Sequence, residues 1–445
     1  MSFPAHSSYR DSGVEWLGDI PVHWQLLPTK RRFRRRKDLN TGMICDHRLA
    51  LTMNGVIPRS IEDVDGLQTN DFEGYQIFEK GDLAFKLIDL QNIKTSRVGL
   101  VPERGIMSPA YIRLQPLSDV EVRFGYWYFM ALYWNQVFNT LGGGVRQTLG
   151  PEELLTVPLP LPPLPEQSAI AAFLDRETAK IDALVEEQRR LIELLKEKRQ
   201  AVISHAVTKG LDPTVPMKDS GAEWLGQIPA HWEVKRLRHI IAALDSGTSV
   251  NASDVPASGD EIGVLKTSCV YAGTFDAGEN KTVIAEDLDR VTCPVKRGCL
   301  IVSRMNTPEL VGAAGLVTGE HPNIYLPDRL WQIEFGEVEA AFADLWTSSA
   351  SYRAQVRVAC DGTSSSMQNL SQDKFYGFII AMPPRSEQRQ IVARLGQQLG
   401  QMDALAARAE LAVSILRERR VALISAAVTG KVDVRGVAIR QAEAA

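Results

Sequence analysis

Cysteine is scarce in this 445-residue chain. Its five cysteines (Cys45, Cys269, Cys293, Cys299, Cys360) are odd in number and never spaced Cys-x-x-Cys. That argues against a disulfide framework and a thiolate metal site, and it fits reduced thiols in a cytoplasmic protein. No apolar run approaches the roughly eighteen residues of a membrane span. The opening MSFPAHSSYRDSG has no apolar core of the signal-peptide kind, so no membrane association is expected. Surplus positive charge is also missing. The formal net charge is −4, so any nucleic-acid contact must rest on local patches.

The signatures of several chemistries are absent too. There is no Gly-x4-Gly-Lys-Ser/Thr loop, no Gly-x-Gly-x-x-Gly after a strand and no His-Glu-x-x-His. Neither an Asn/Asp-Pro-Pro-aromatic methyltransferase motif nor a Pro-Asp…Asp/Glu-x-Lys nuclease set is found. These absences count against a nucleotide-driven motor, a dinucleotide enzyme, a zinc enzyme, a methyltransferase and a nuclease. No catalytic residue and no metal site is expected, and the reading turns to binding.

What is present is a duplication. DSGVEWLGDIPVHW (Asp11–Trp24) returns as DSGAEWLGQIPAHW (Asp219–Trp232), offset by 208 and identical at eleven of fourteen positions. PPLPEQSAI (Pro162–Ile170) matches PPRSEQRQI (Pro383–Ile391) at an offset of 221. RQAVISHAVT (Arg199–Thr208) matches RVALISAAVT (Arg420–Thr429) at the same offset. The stretch joining the last two matches therefore has one length in both halves. The variable blocks, about 25–160 and 233–381, absorb the difference.

The fixed-length stretch has the spacing of a long helix. Ile170, Leu174, Glu177, Ile181, Leu184, Gln188, Leu191, Leu195, Lys198 and Val202 alternate steps of four and three, the spacing of a coiled-coil seam. The second copy reads Ile391, Leu395, Gln398, Met402, Leu405, Ala409, Ala412, Leu416, Arg419 and Leu423. A helix of roughly 40 residues is about 60 Å long and cannot bury such a stripe alone. Its duplicate is the cheapest partner, in antiparallel pairing. Short β-like runs between Gly, Pro, Asn and Asp turns mark the variable blocks as mixed α/β. The aromatic stretch Val122–Phe138 reads as a core helix, and His23 and His231 in the Trp phrase as structural. The expected fold is α+β: two mixed α/β lobes, two long helices forming an antiparallel coiled coil, and an internal pseudo-two-fold repeat.

The doubled layout resembles the specificity subunit of type I restriction–modification enzymes. The resemblance spans nearly the whole chain. It is carried by the two Trp phrases, by FEKGDLAFKL (Phe78–Leu87) and VKRGCLIVSRMNTPELVGAAGLV (Val295–Val317), and by LPPLPEQ and MPPRSEQ before the helices. One departure is Cys299 where the first block has Asp82. The resemblance implies a non-catalytic subunit whose two target-recognition domains each read half of an asymmetric, bipartite double-stranded DNA target. The helices would set the spacing, with half-sites near one helical turn, about 34–36 Å, apart. They would also dock two methyltransferase subunits and, through them, two motor–nuclease subunits. S-adenosylmethionine, ATP and magnesium are expected on those partners and no cofactor on this chain.

On this reading the segments are 1–24 (closing against the C-terminal helix region), 25–160 (first recognition domain), 161–210 (first helix), 211–381 (junction and second recognition domain), 382–435 (second helix) and 436–445 (tail). The sharpest basic patch is KRRFRRRK (Lys30–Lys37), including Arg34 and Arg35; it is read either as phosphate-binding or as a solvated helix face or subunit contact. Groove readers are sought among Lys86, Gln91, Asn92, Lys94 and Arg97 in the first block and Arg304, Asn306 and Thr307 in the second, while Arg146 and Gln147 match Ser365 and Gln368 in their places across the repeat, both after glycine, and suit shared DNA-backbone contacts better than specific bases. A coiled-coil scaffold with two ligand-binding lobes and no DNA role remains the alternative; it gives no reason for basic loops.

Overall fold

A computed structural model describes residues 4–53, 55–63, 71–90, 97–143, 148–364 and 367–436. The chain forms two compact units, Met1–Arg189 with Leu411–Ala445, and Arg190–Glu410. Each contains one variable block and half of each long helix.

In the first unit, Gln25–Pro28 pairs antiparallel with Pro158–Leu161, Gln25 opposite Leu161. The block thus begins and ends on neighbouring strands. Inside it lies an antiparallel sheet in the order Phe33–Arg36, Ile112–Pro116, Leu83–Phe85, Val98–Leu100. The helix Val122–Trp134 packs its buried Phe124, Tyr128 and Phe129 against Phe33, Phe85 and Leu114. Phe129 meets Phe85 and Phe33 edge-on at 5.1 and 5.7 Å. A Cβ at Gly125 would stand 2.6 Å from the Phe33 ring, so glycine lets the helix approach the sheet.

The second unit repeats this frame. Glu233–Arg236 pairs with Ile379–Met382, Glu233 opposite Met382. Its sheet runs Ile241–Ser246, Leu330–Phe335, Leu300–Ser303, Ala314–Leu316. In both sheets a left-handed glycine opens the third strand: Gly81 (φ 89°) donates to Val101 and Gly298 (φ 85°) to Val317. Only glycine adopts such a turn without strain. Asp82 and Cys299 follow. Asp82 accepts from Glu79 N–H and pairs with buried Arg113 at 2.5 Å, which Cys299 cannot do. The units differ in their additions. The first adds the hairpin Leu49–Thr52/Gly55–Pro58; the second adds a sheet of Ala252–Ser253, Asn280–Val283, Gly263–Leu265 and Ile324–Tyr325.

The long helices are Leu164–Lys209 and Arg385–Val428. They run antiparallel. In the first unit Ile170 and Leu174 share a core with Ile424, Ala427 and Val428, while Ile181 and Val185 meet Val413. In the second unit Val202, Ile203 and Ala206 meet Ile391, Leu395, Leu399 and Met402. The expected seam is corrected at every second slot. Ile181, Leu195, Val202, Met402, Leu416 and Leu423 stay on the covered face, but Leu184 and Leu405 are 45% and 43% exposed. Val185 and the small Ala406, one residue later, face inward instead, as do Thr178 and Leu399 in place of Glu177 and Gln398. Leu191 is half-buried beside Ile192, the slot's inward residue. The shift seats Arg199 and Arg420 beside the partner helix. Arg420 bonds Asp182 at 2.9 Å in the first unit, and Arg199 bonds Asp403 at 2.7 Å in the second. These are one contact written twice, since both residues repeat at 221.

Candidate nucleic-acid interface

The interface is built outward from a clasp that each unit contains once. Glu166, in the first turn of the first long helix, accepts the Trp24 indole N–H at 3.1 Å and lies 2.9 Å from His23 Nε2. In the second unit Glu387 accepts from Trp232 at 3.1 Å and lies 2.8 Å from His231 Nε2. A carboxylate in the first helical turn is favoured by the helix dipole, and charge strengthens each bond. The neighbouring glutamine ties in the lobe. Gln167 accepts from Glu121 N–H and donates to the Pro162 carbonyl, at 2.9 Å each. Gln388 accepts from Glu339 N–H at 2.9 Å and donates to Pro383 at 3.0 Å. This explains the Glu-Gln pair after both proline runs.

The other face of each indole meets the end of the opposite long helix. Trp24 and Trp232 are 1% and 0% exposed. Left-handed Gly430 (φ 75°) lies against Pro21 and Trp24, and left-handed Gly210 (φ 78°) against Trp232. A Cβ at Gly430 would fall 2.3 Å from Pro21. Within each unit, the Trp phrase thus locks the start of one helix beside the end of the other.

The basic run begins in a short 3-10 helix, Thr29–Arg31, and continues as the strand Phe33–Arg36. Phe33 anchors it in the core, while Arg34, Arg35 and Arg36 are exposed along the sheet edge. Arg34 and Arg36 both donate to Gln115, at 2.9 and 3.2 Å, leaving Arg35 on the alternate face of the strand. The corresponding strand of the second unit, IAALDS, carries no cation.

The candidate DNA contacts divide. Gln91, Asn92, Lys94, Arg146, Gln147 and Ser365 lie outside the described residues. Arg97 is corrected. It is 1% exposed and donates to the carbonyls of Ile88 (3.0 Å) and Asp89 (2.5 Å), so it braces a loop and cannot reach a groove. Lys86 is half-buried; burial, then the charge of Arg97, lowers its pKa. Leu370 N–H bonds Arg304 as Leu149 N–H bonds Leu87, so Arg304 matches Leu87 and Lys86 matches Ser303.

In the second unit the structure brings Arg304, Asn306, Thr307 and Gln368 together, with Asn306 opposite Gln368 across adjacent strands. Asn306 is also corrected. It is 8% exposed, donates to the Tyr271 hydroxyl at 2.9 Å and accepts from Thr307 N–H at 2.9 Å, so it shapes the site from below. Arg304 donates to the Asp328 carbonyl at 2.7 Å, while Thr307 and Gln368 are half-buried. Sequence reasoning missed Tyr271, which is 40% exposed and also bonded to Thr267 at 2.9 Å. It missed a polar groove of about 500 Å³ beside it, lined by Asn251, Lys266, Thr267, Lys281 and Arg329. No motif joins these residues; the added sheet collects them.

Residues 38–194 match the family model for the type I restriction modification DNA specificity domain. The chain is similar over that stretch to the DNA specificity domain of type I restriction–modification systems. It is 26% identical over 280 residues to the type I restriction enzyme EcoKI specificity subunit of Escherichia coli (strain K12), covering 62% of this chain and 58% of that protein. It is also 26% identical over 214 residues to the MjaVIII specificity subunit of Methanocaldococcus jannaschii, covering 47% of each. The matched stretch thus spans about half the length of these curated relatives. Two solved chains share the fold. One belongs to a structure described by the assembly and conformational transition of the type I R-M system; it has a TM-score of 0.63 at 16% identity and covers 92% of this chain and 98% of that one. The HsdS subunit from Thermoanaerobacter tengcongensis has a TM-score of 0.51 at 16% identity, covering 93% and 98%. Among the described residues, no helix is long and apolar enough to cross a membrane.

Proposed function

We propose that this chain is the DNA sequence-recognition subunit of a type I restriction–modification complex and performs no reaction itself. Each unit reads one half of a split target, and the antiparallel helices fix the unspecified spacer. The observation that carries this reading is one frame built twice, with the same clasp, necks and sheet order but differing edges. Identical readers would call for identical edges. An arginine edge in one unit and a polar groove in the other call for an asymmetric target. Arg34 and Arg35, the groove's Lys266, Lys281 and Arg329, and Arg304 supply phosphate contacts that set position. Lys86, Asn92, Lys94 and Thr307 are the side chains for base edges, while Arg146, Gln147, Ser365 and Gln368, at matching places in the two halves, make shared DNA-backbone contacts. Two methyltransferase subunits, holding S-adenosylmethionine, dock on the helices. Two motor–nuclease subunits, using ATP and magnesium, join through them. A scaffold without a DNA role gives no reason for an exposed arginine edge.

Modified-base sequencing of host DNA tests the proposal. Deleting this gene while the partners are expressed should erase adenine methylation at one split, asymmetric motif. An unchanged methylation map would overturn it.

A further inference from the structure

The two clasps differ in one residue. Counting back along the Trp phrase at the 208 offset, His6 of the first unit stands where Thr214 stands in the second. His6 is 7% exposed, and its ring lies 5.4 Å from that of His23 and 6.0 Å from that of Trp24. Among the described residues, neither ring nitrogen has a hydrogen-bond partner. Nε2 is 3.9 Å from Glu166 Oε1, and Nδ1 is 3.8 Å from Asp433 Oδ2. A buried imidazole with both nitrogens unsatisfied is destabilising. The second unit closes its clasp with no such residue, so packing alone does not call for His6.

Donor atoms of His6, His23 and Glu166 all lie within 4.8 Å of one another. Two imidazoles and a carboxylate form a ligand set suited to Zn²⁺, whose bonds of about 2.0–2.2 Å place tetrahedral ligands roughly 3.3 Å apart. His23 Nε2 lies 2.9 Å from Glu166 Oε2 and His6 Nε2 lies 3.9 Å from Glu166 Oε1, so one imidazole faces each carboxylate oxygen at a separation close to that value. The surrounding groups already occupy orienting positions. Trp24 donates to Glu166, and Asp433 faces the His6 nitrogen turned away from the cluster, as metal-bound histidines commonly require. Arg435, paired to Asp433 at 2.6 Å, is the nearby cation; two carboxylates offset it.

We propose that His6, His23 and Glu166 bind one divalent transition metal of the zinc class in the first unit only. The metal is structural. It ties the stretch before the Trp phrase to the start of the first long helix, beside the segment that follows the second. The site does not depend on the chain's role in DNA recognition.

The test uses the full chain, alone or with its partners, dialysed against chelator and then titrated with Zn²⁺ or Co²⁺. One equivalent of Zn²⁺ should be retained after gel filtration, and Co²⁺ should give the visible absorption of a tetrahedral site. His6→Ala and His23→Ala should each lower affinity at least tenfold. His231→Ala, in the clasp without a third ligand, should leave zinc affinity and stoichiometry unchanged. Zinc should raise the melting temperature of the wild type but not of His6→Ala. Two results would overturn the proposal: no zinc retained by the wild type, or equal retention by His6→Ala. Because the readouts are metal content and melting, they stand apart from the methylation map.

Discussion

The two units are built alike where they hold the long helices and unlike where they face outward. Below each lobe, a tryptophan, a histidine, a glutamate and a glutamine make the same bonds to within 0.1 Å. Above it, one lobe presents an arginine edge and the other a polar groove. A contact repeated to that tolerance has one geometric job, closing the neck of the block. Divergence on a common frame marks where the units do different work. Even Arg199 and Arg420, equivalent by the repeat, keep different company: Arg420 lies over Trp127 and Trp134 at 5.7 and 5.1 Å, whereas Arg199 faces the half-buried Asp344.

The largest effect should come from breaking the shared part. Trp24→Ala and Trp232→Ala should each cost about 3–5 kcal/mol by removing a fully buried indole. Each should unfold its own unit first, read by hydrogen exchange of the two lobes. Equal protection loss in both lobes from either variant would contradict separate clasps. The glutamates should then separate the units. The Glu166 side chain is 5% exposed and that of Glu387 is 24%. Glu166→Ala should cost about 2–3 kcal/mol and Glu387→Ala about 1 kcal/mol in urea melts, because an orphaned partner is penalised more when buried. Equal costs would show that burial does not set the difference.

One pH effect is specific to a position in the second unit. Burial raises the Asp344 carboxyl from 3.8 to about 7, opposed weakly by a hydrogen bond from the Leu316 backbone and by Arg199. The folded state then holds a proton that the unfolded state releases, so this group destabilises the unit as pH rises from about 4 to about 7. Asp344→Asn should leave stability at pH 3 nearly unchanged and raise it progressively toward pH 8, by about 2–4 kcal/mol there. Tyr126 takes this place in the first unit, five residues after the glutamate tied by glutamine, as Asp344 follows Glu339. No matching effect is expected there. Smaller still, Arg35→Ala should weaken DNA binding by a few fold and lower the salt slope by about one, without altering either half-site. A changed half-site would move Arg35 from phosphate to base contact. The smallest effect belongs to the helix surface. Leu184→Ser should stay within about 0.5 kcal/mol of wild type, whereas Val185→Ser should cost more.

Much of this frame was legible because repetition is a sequence property. The offsets of 208 and 221 located the Trp phrase, the Glu-Gln pair and the equal helices. The bond joining Trp24 to Glu166 was not legible, since 142 residues separate them. The seam phase failed at Leu184 because Leu184 and Val185 are both apolar, and a 3.6-residue turn lets either face inward. Only the partner helix chooses. Arg97 was misread because a cation near a loop looks alike whether it faces DNA or three backbone carbonyls. His6 carried no signal because its neighbours come from three distant parts of the chain.

Block exchange tests the account most directly. The necks Gln25/Leu161 and Glu233/Met382 end side by side on matching strands. Residues 25–161 should therefore fit in place of 233–382, with both long helices untouched. Modified-base sequencing of cells carrying this chain and the partner subunits should then find a split target in which the first half-site occurs twice. A target that keeps its original second half-site would contradict the claim that each unit reads its own half.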